Sequence, residues 1–297
     1  VEPPPLSPRE LTWRRFRRHK MAMAGALTLL LLALYSFGGA FFVSENYANF
    51  TDTKLRLQAP TQAHPFGTDT VGRDILARTI YGGQISLIIG LTAVIIEVFV
   101  GILIGAFSGY YGGLVDSLLM RFTEAMLNIP QIFLLIVMAK FFGGQITDIH
   151  LFGRTFSGSV VVIVMIIGLT SWPYLARIVR AEFLSIKERE FILAARATGT
   201  PTSEIIFKHI LPNCVAPIVV SATLGVASAI TLEAYISFLG LGVRPPTATW
   251  GNMLENAYNY IETAYWLWLF PGLFIVLTVL SINFLGDALR DILDVRT

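Results

Sequence analysis

Two carboxylates, Glu97 and Glu233, sit inside long apolar runs, each with ten or more uncharged residues on both sides. Holding an acid in hydrocarbon costs about 2.5–3.5 kcal/mol on insertion scales, so an acid kept there marks function by default. Three readings fit the pair: a proton or ion relay, polar groups facing a water-filled cavity, or a polar contact between helices. Both are carried forward as candidates for a translocation pathway. Other reactive residue types are sparse. Cys214 is the single cysteine, and His209 stands close to it at the base of an apolar run. Neither has a ligand partner nearby in sequence, so both read as structural. The four histidines form no His-Glu-x-x-His pattern, and no Gly-Lys dipeptide exists to make a Walker A loop. The chain is expected to carry no catalytic residue, no metal and no ATP site of its own.

Such acids must be held by elements that fit a bilayer. Of the 297 residues, 54% are hydrophobic and 14% are charged, against about 25% charged in a soluble domain. That apolar content with a net charge of only +2 excludes a disordered chain. A helix needs about 20 apolar residues to cross a membrane. Charge-poor runs supply six, over 22–43, 86–109, 118–142, 159–181, 213–238 and 266–287. The first is too long for a signal peptide and lacks a small-x-small end, so it reads as a membrane helix. The expected fold is all-α and polytopic. Residues 1–21 form a basic interfacial segment and 22–43 the first transmembrane helix. Residues 44–85 form an extracytoplasmic loop. Residues 86–297 form a five-helix core that includes a cytoplasmic loop, 182–212.

Placing both termini in the cytoplasm puts 15 of the 22 Lys and Arg residues on the inner side, as the positive-inside rule requires. Ser7-Pro8-Arg9-Glu10 is a capping box with proline at the first helical position. The basic helix it opens carries Trp13 and Phe16, a composition suited to anionic lipid headgroups. No nucleic acid partner is expected. Gly101, Gly105 and Gly109 form a small-residue stripe that lets another helix backbone approach closely.

The most informative segment lies between the fourth and fifth runs. It reads Glu190-Phe-Ile-Leu-Ala194-Ala195-Arg196-Ala-Thr-Gly199, then Thr200-Pro201 and, further on, Leu211-Pro212. A short helix over 190–198 should end at Gly199, a good residue just beyond a helix C-terminus. Thr200 is placed to cap a second helix with Pro201 in its first turn. That helix should stop near Pro212, where the membrane run begins. The product is a helix–glycine–helix elbow whose small residues admit a close partner and whose charges fix its register.

Ala194-Ala195, Gly199 and Leu211-Pro212 resemble the coupling loop of ABC importer permeases. Leu193 stands where that loop carries glutamate, and His209 where it carries isoleucine; Glu190, one turn earlier, is positioned to supply the acid. Four other stretches narrow the resemblance: His64-Pro-Phe-Gly67-Thr68-Asp69 running to Gly72-Arg73-Asp74; Asp116 through Asn128-Ile-Pro130; Glu233 through Pro245-Pro246; and Trp250-Gly251-Asn252-Met253-Leu254. With the elbow they are similar to the dipeptide/oligopeptide/nickel group, specifically its second, C-type permease. The similarity covers nearly the whole chain.

The resemblance implies a type I importer permease in a bacterial or archaeal cytoplasmic membrane. It implies a homologous second permease, two cytoplasmic ABC ATPase subunits that hold ATP and Mg, and an extracytoplasmic substrate-binding protein. Glu190, Ala194, Ala195, Arg196, Gly199, Leu211 and Pro212 would couple to the ATPases. Trp250, Tyr258 and Tyr260 in the outer loop are candidates for docking the binding protein. Di- or oligopeptides are the expected cargo, with nickel or another small solute as the alternative. A rival class, an ion-coupled secondary transporter, would use Glu97 and Glu233 and normally shows internal repeats. None is evident in the sequence.

Overall fold

In hydrocarbon every backbone N–H and C=O must be paired within its own segment, so apolar runs of this length fold as helices. The computed structural model describes residues 14–151 and 154–293. The capping box at Ser7–Glu10 and Trp13 lie outside the described residues. Residues 14–18 are helical and expose Arg14, Arg15, Arg17 and Arg18.

The first membrane helix, α1, spans Lys20–Gly38 and ends in a π turn over Leu34–Gly38. A short helix, α2 (Glu45–Asn49), follows, and then α3, Ile75–Tyr111. Two shorter helices, α4 (Gly113–Asn128) and α5 (Gln131–Phe142), lead to an antiparallel hairpin of β1 (Ile149–Leu151) and β2 (Arg154–Phe156). Then come α6 (Gly158–Ile186), the elbow helix α7 (Glu190–Ala197), α8 (Thr202–Phe238) and α9 (Trp266–Leu293). Five of these are long and apolar enough to cross a bilayer, and the bent pair α4–α5 makes a sixth if its halves share one crossing.

Three expectations are corrected. The run 118–142 is not one helix: α4 and α5 meet at 86° around Ile129–Pro130. Proline lacks the N–H a helix interior needs, and it pushes the residue before it into extended backbone. Ile129 is extended accordingly, at φ −82°, ψ 121°. The second long apolar helix starts at Ile75 rather than residue 86, so the stretch joining it to α1 is shorter than 44–85. Arg78 and Gln84 looked like loop residues, but both are buried and bonded. Arg78 donates to Asn49 Oδ1 at 3.1 Å and Gln84 to the Ser36 carbonyl at 2.7 Å. Finally, no helix stops at Pro212. The chain stays helical through a π turn at Ile205–Ile210 and a 3-10 turn at Leu211–Cys214. Proline is tolerated there because it stands in the first turn of the 3-10 segment.

The glycine stripe explains the central packing. A methyl group at Gly105 would sit 2.5 Å from the Ala176 carbonyl oxygen, and one at Gly109 would sit 2.5 Å from Phe183 Cβ. The stripe therefore seats α6 directly on α3, inside this subunit. Ile85, Ile89, Val94, Leu135, Ile163 and Ile167 fill the core between α3, α5 and α6. A second apolar cluster gathers at the far end of α6 around Phe183, Ile192, Ile205, Ile210 and Cys214. Leu27, Leu30, Leu31, Phe41 and Phe42 remain exposed along and just after α1, a surface suited to lipid.

Candidate coupling elbow, outer cap and buried acids

The elbow is built as the sequence suggests, with one change at its second cap. Helix α7 runs Glu190–Ala197, and Gly199 follows at φ +79°. Thr200 N–H reaches the Ala195 carbonyl at 3.0 Å and Gly199 N–H the Arg196 carbonyl at 3.0 Å, closing the carbonyls left open at a helix end. Thr200 does not cap the next helix. Pro201 occupies that position, with no side-chain bond to the helix, and the Thr200 hydroxyl lies 3.4 Å from that of Thr198.

Only one side chain of α7, Ile192, is buried, and it is 0% exposed. It enters the cluster formed by Phe183 and Ile186 of α6 and by Ile205, Ile210 and Cys214 of α8. Burying an isoleucine side chain is worth about 1.5–3 kcal/mol, enough to fix so short a helix to its neighbours. The other face is open. Glu190, Phe191, Leu193, Ala194 and Arg196 are all exposed, a mixed apolar and charged surface. Arg196 lies over the Tyr110 ring at 5.4 Å, which tethers α7 to the end of α3. Leu211 is half-buried against the same cluster, and Pro212 is exposed on the turn beside it.

Below the elbow, polar bonds tie three helices. Arg180 Nε and Nη2 meet the two oxygens of Asp116 at 2.5 and 2.6 Å. Ser108 donates to the same carboxylate. Lys187 Nζ donates to the Gly109 carbonyl at 3.1 Å. These bonds join α3, α4 and the C-terminal end of α6 into one unit beside the elbow.

At the opposite end, the segments around 50–74 and 239–265 fold together as a cap. Asp74 starts α3, its Oδ1 accepting Ala77 N–H at 2.7 Å while Oδ2 lies 2.8 Å from His64 Nδ1. Asp69 accepts from its own turn, at Val71 N and Arg73 N, and pairs with Arg73 Nε at 2.6 Å. The motif from His64 to Asp74 is thus a capping device, a role that sequence reading left unassigned. Asp74, a favoured helix-capping residue directly before the apolar Ile75-Leu76-Ala77, was the available signal.

The outer-loop aromatics divide. Trp250 is 0% exposed, so its expected place on a docking surface is corrected. Its Nε1 donates to the Thr79 carbonyl at 2.9 Å, and its ring stacks on Phe274 at 5.5 Å. Tyr258 is exposed. Tyr260 is half-buried against the Trp266 cluster and accepts from Arg56 Nη2 at 3.4 Å.

The two acids also part company. Glu233 is 0% exposed. Ser237 donates to Oε1 at 2.7 Å and Ser86 to Oε2 at 3.3 Å, and Ser86 in turn accepts Trp250 N–H at 3.1 Å. Glu233 is an internal brace between α8, α3 and the cap, and its placement on a pathway wall is corrected. Glu97 is 7% exposed and lines a cavity of about 350 Å³ at the α4–α5 bend. Among the described residues no hydrogen bond or ion pair takes its carboxylate.

Comparison with known proteins agrees with this architecture. The sequence model for the binding-protein-dependent transport system inner membrane component matches residues 101–297. That for the N-terminal transmembrane domain of oligopeptide transport permease C matches residues 7–60. The oligopeptide transport system permease protein OppC of Haemophilus influenzae is 40% identical over 283 residues, which cover 95% of this chain and 86% of that protein. The dipeptide transport system permease protein DppC of Alkalihalophilus pseudofirmus is 38% identical over 298 residues, 98% of this chain and 93% of that protein. Among solved structures, the MetNI methionine ABC transporter in an inward-facing conformation superposes with a TM-score of 0.55 at 20% identity, covering 71% of this chain and 94% of that one; this likeness carries the fold alone. Helices, elbow and family match converge on one assignment: the chain is a multi-pass membrane permease that belongs to the family of binding-protein-dependent transport system inner membrane components.

Proposed function

We propose that this chain is one permease half of an ATP-driven importer of di- and oligopeptides. The observation that carries the proposal is the elbow: a short helix anchored by the single buried side chain of Ile192, presenting Glu190, Phe191, Leu193, Ala194 and Arg196 outward. Such a surface suits a cleft on a cytoplasmic ATPase subunit. The peptide cargo is supported by relatives named for oligopeptide and dipeptide transport.

In this reading both termini and the elbow face the cytoplasm. A homologous permease supplies the other half of the pore, two ABC ATPases bind beneath, and a substrate-binding protein delivers peptide to the outer cap. Exposed Tyr258 belongs to that outer surface. The basic residues before α1 rest on anionic lipid. ATPase closure displaces α7. Because α7 is packed onto both α6 and α8, the displacement tilts those helices and changes which side of the pore is open. Nucleotide drives this only through its differential affinity for the two states. Glu190, Ala194, Ala195, Arg196 and Gly199 form or shape the docking surface, while Leu211 and Pro212 sit at its joint with α8.

The test is purification of the tagged chain from native membranes in mild detergent, followed by reconstitution. The expected result is recovery with one homologous permease and one or two ABC ATPases, and ATP-dependent peptide uptake. Recovery alone, with uptake that ignores ATP and collapses with an ion gradient, would replace the proposal with an ion-coupled transporter.

A further inference from the structure

The cavity at the α4–α5 bend has an unusual lining. Glu97 of α3 is the one charged side chain among the described residues around it. Gln131, Thr170, Ser171, Ser221 and Ser228 supply amide and hydroxyl groups from α5, α6 and α8. Its volume of about 350 Å³ falls at the low end of small-molecule sites, about 300–1,000 Å³. Glu97 lies inside α3, more than ten residues from either end. Space for its carboxylate comes from Gly225 on α8: a methyl group there would stand 3.2 Å from Oε2. Gln131 Nε2 donates to Ser171 Oγ at 3.0 Å, bridging the start of α5 to α6 beside Pro173 and fixing the bend. So Glu97, 7% exposed as a residue and with no hydrogen-bond partner among the described residues, borders a cavity in which hydroxyl and amide groups alternate with apolar side chains such as Met126, Leu127 and Leu224.

A buried carboxylate is retained where it meets a cation or hydrogen-bond donors. Among the described residues no cation stands beside Glu97, and none of the hydroxyl or amide groups on the wall donates to it. The lining holds one carboxylate, with neither a histidine nor a second acid, which is a poor donor set for a divalent metal. It suits a group with a single positive charge and several N–H donors. An ammonium has three. The carboxylate takes one, and neutral amide or hydroxyl oxygens accept the others. Tyr174, also on the wall, offers an aromatic face of the kind cations favour.

We infer that Glu97 is the pore-wall acceptor for the α-ammonium group at the free N-terminus of a peptide in transit. This rests on the peptide-importer reading above and deepens it: the permease itself selects for a free amine. A peptide whose amine is absent reaches the same wall without a cation and leaves the carboxylate unpaired at the moment of passage.

The experiment uses the whole importer in proteoliposomes with its binding protein. The probes are trialanine and its desamino analogue, in which a propionyl group replaces the first alanine. Loading of the binding protein is measured separately for each, and initial uptake is expressed per loaded binding protein. The parent is expected to move trialanine about tenfold faster or more, the ratio that one charge-assisted bond of ordinary strength supports. Glu97→Gln should remove most of that preference. Glu97→Asp keeps the charge, shortens its reach, and should lower the preference severalfold; it serves if Glu97→Gln fails to assemble. Equal rates for the two probes in the parent overturn the inference whatever the variants do. A preference unchanged in the assembled variants overturns the assignment to Glu97. Uptake of neither probe by a loaded, ATP-supplied parent overturns the peptide reading itself, and this outcome differs from the other two.

Discussion

Arg180 grips Asp116 with two nitrogens, joining the first turn of α4 to the C-terminal half of α6. The side chains are 33% and 18% exposed, so the pair is only partly shielded from water. A two-point guanidinium–carboxylate pair cannot be rebuilt by an ammonium. Arg180→Lys is expected to cost about 1–2 kcal/mol after allowance for that exposure. The check is the thermal midpoint of the purified assembly. An unchanged midpoint would show that the pair does not brace the two helices.

Ile192 is the only anchor of α7 in the core. Ile192→Ala removes most of it, at about 2–4 kcal/mol locally. The expected outcome is a chain that still enters the membrane but passes on less of the ATPase stroke. More ATP should be hydrolysed per peptide delivered, and a parental ratio would argue that α7 is held by something other than Ile192.

Gly199 sits at φ +79° in open space, with no heavy atom within 4 Å of where a methyl group would stand. Any penalty there comes from backbone alone, about 1–2 kcal/mol for an ordinary residue. Asparagine, which tolerates this region, should be mild. Proline, locked near φ −65°, cannot adopt it and should uncouple hydrolysis from transport. Normal uptake by Gly199→Pro would show that the elbow does not need this turn.

Glu233 accepts from Ser86 and Ser237 under the cap. Glu233→Ala strands both hydroxyls in a dry site and opens a void, together worth about 2–4 kcal/mol. Loosening should be felt in the 239–265 segment, which the Ser86–Trp250 bond holds down. Limited proteolysis from the outer side should cut that segment faster than in the parent. Equal cutting rates would place the cap's attachment elsewhere.

The membrane helices and the elbow were legible in the sequence because each depends on local chemistry. A charge-free run must be helical in lipid, and Gly199 must end a helix where its neighbours cannot. What escaped was set by partners distant in the chain. Hydropathy runs unbroken across Pro130, so the 86° bend was hidden although the proline was in plain view. Arg78 made the start of α3 look like a loop, because the Asn49 that satisfies it lies 29 residues earlier. Trp250 read as a surface aromatic because its loop is rich in proline and aromatics; its partners, Thr79 and Phe274, come from two other helices. Glu97 and Glu233 were equivalent by flanking sequence. Only the fold gives one of them two serines and the other a cavity.

The wide turn at Ile205–Ile210 has a consequence for how the chain tolerates change. Ile205 and Ile210 are five residues apart, yet both are buried in one cluster with Cys214 and Ile218. On an unbroken α-helix a step of five would carry the second side chain about 140° around the axis, since each residue turns about 100°. The π turn absorbs the surplus residue and brings the faces back into phase. The apolar stripe of α8 is therefore written with one five-residue step followed by steps of four. Removing a residue between Ile206 and His209 would return the segment to ordinary winding with its stripe intact, whereas adding one would rotate the whole membrane portion of α8 out of register with the elbow.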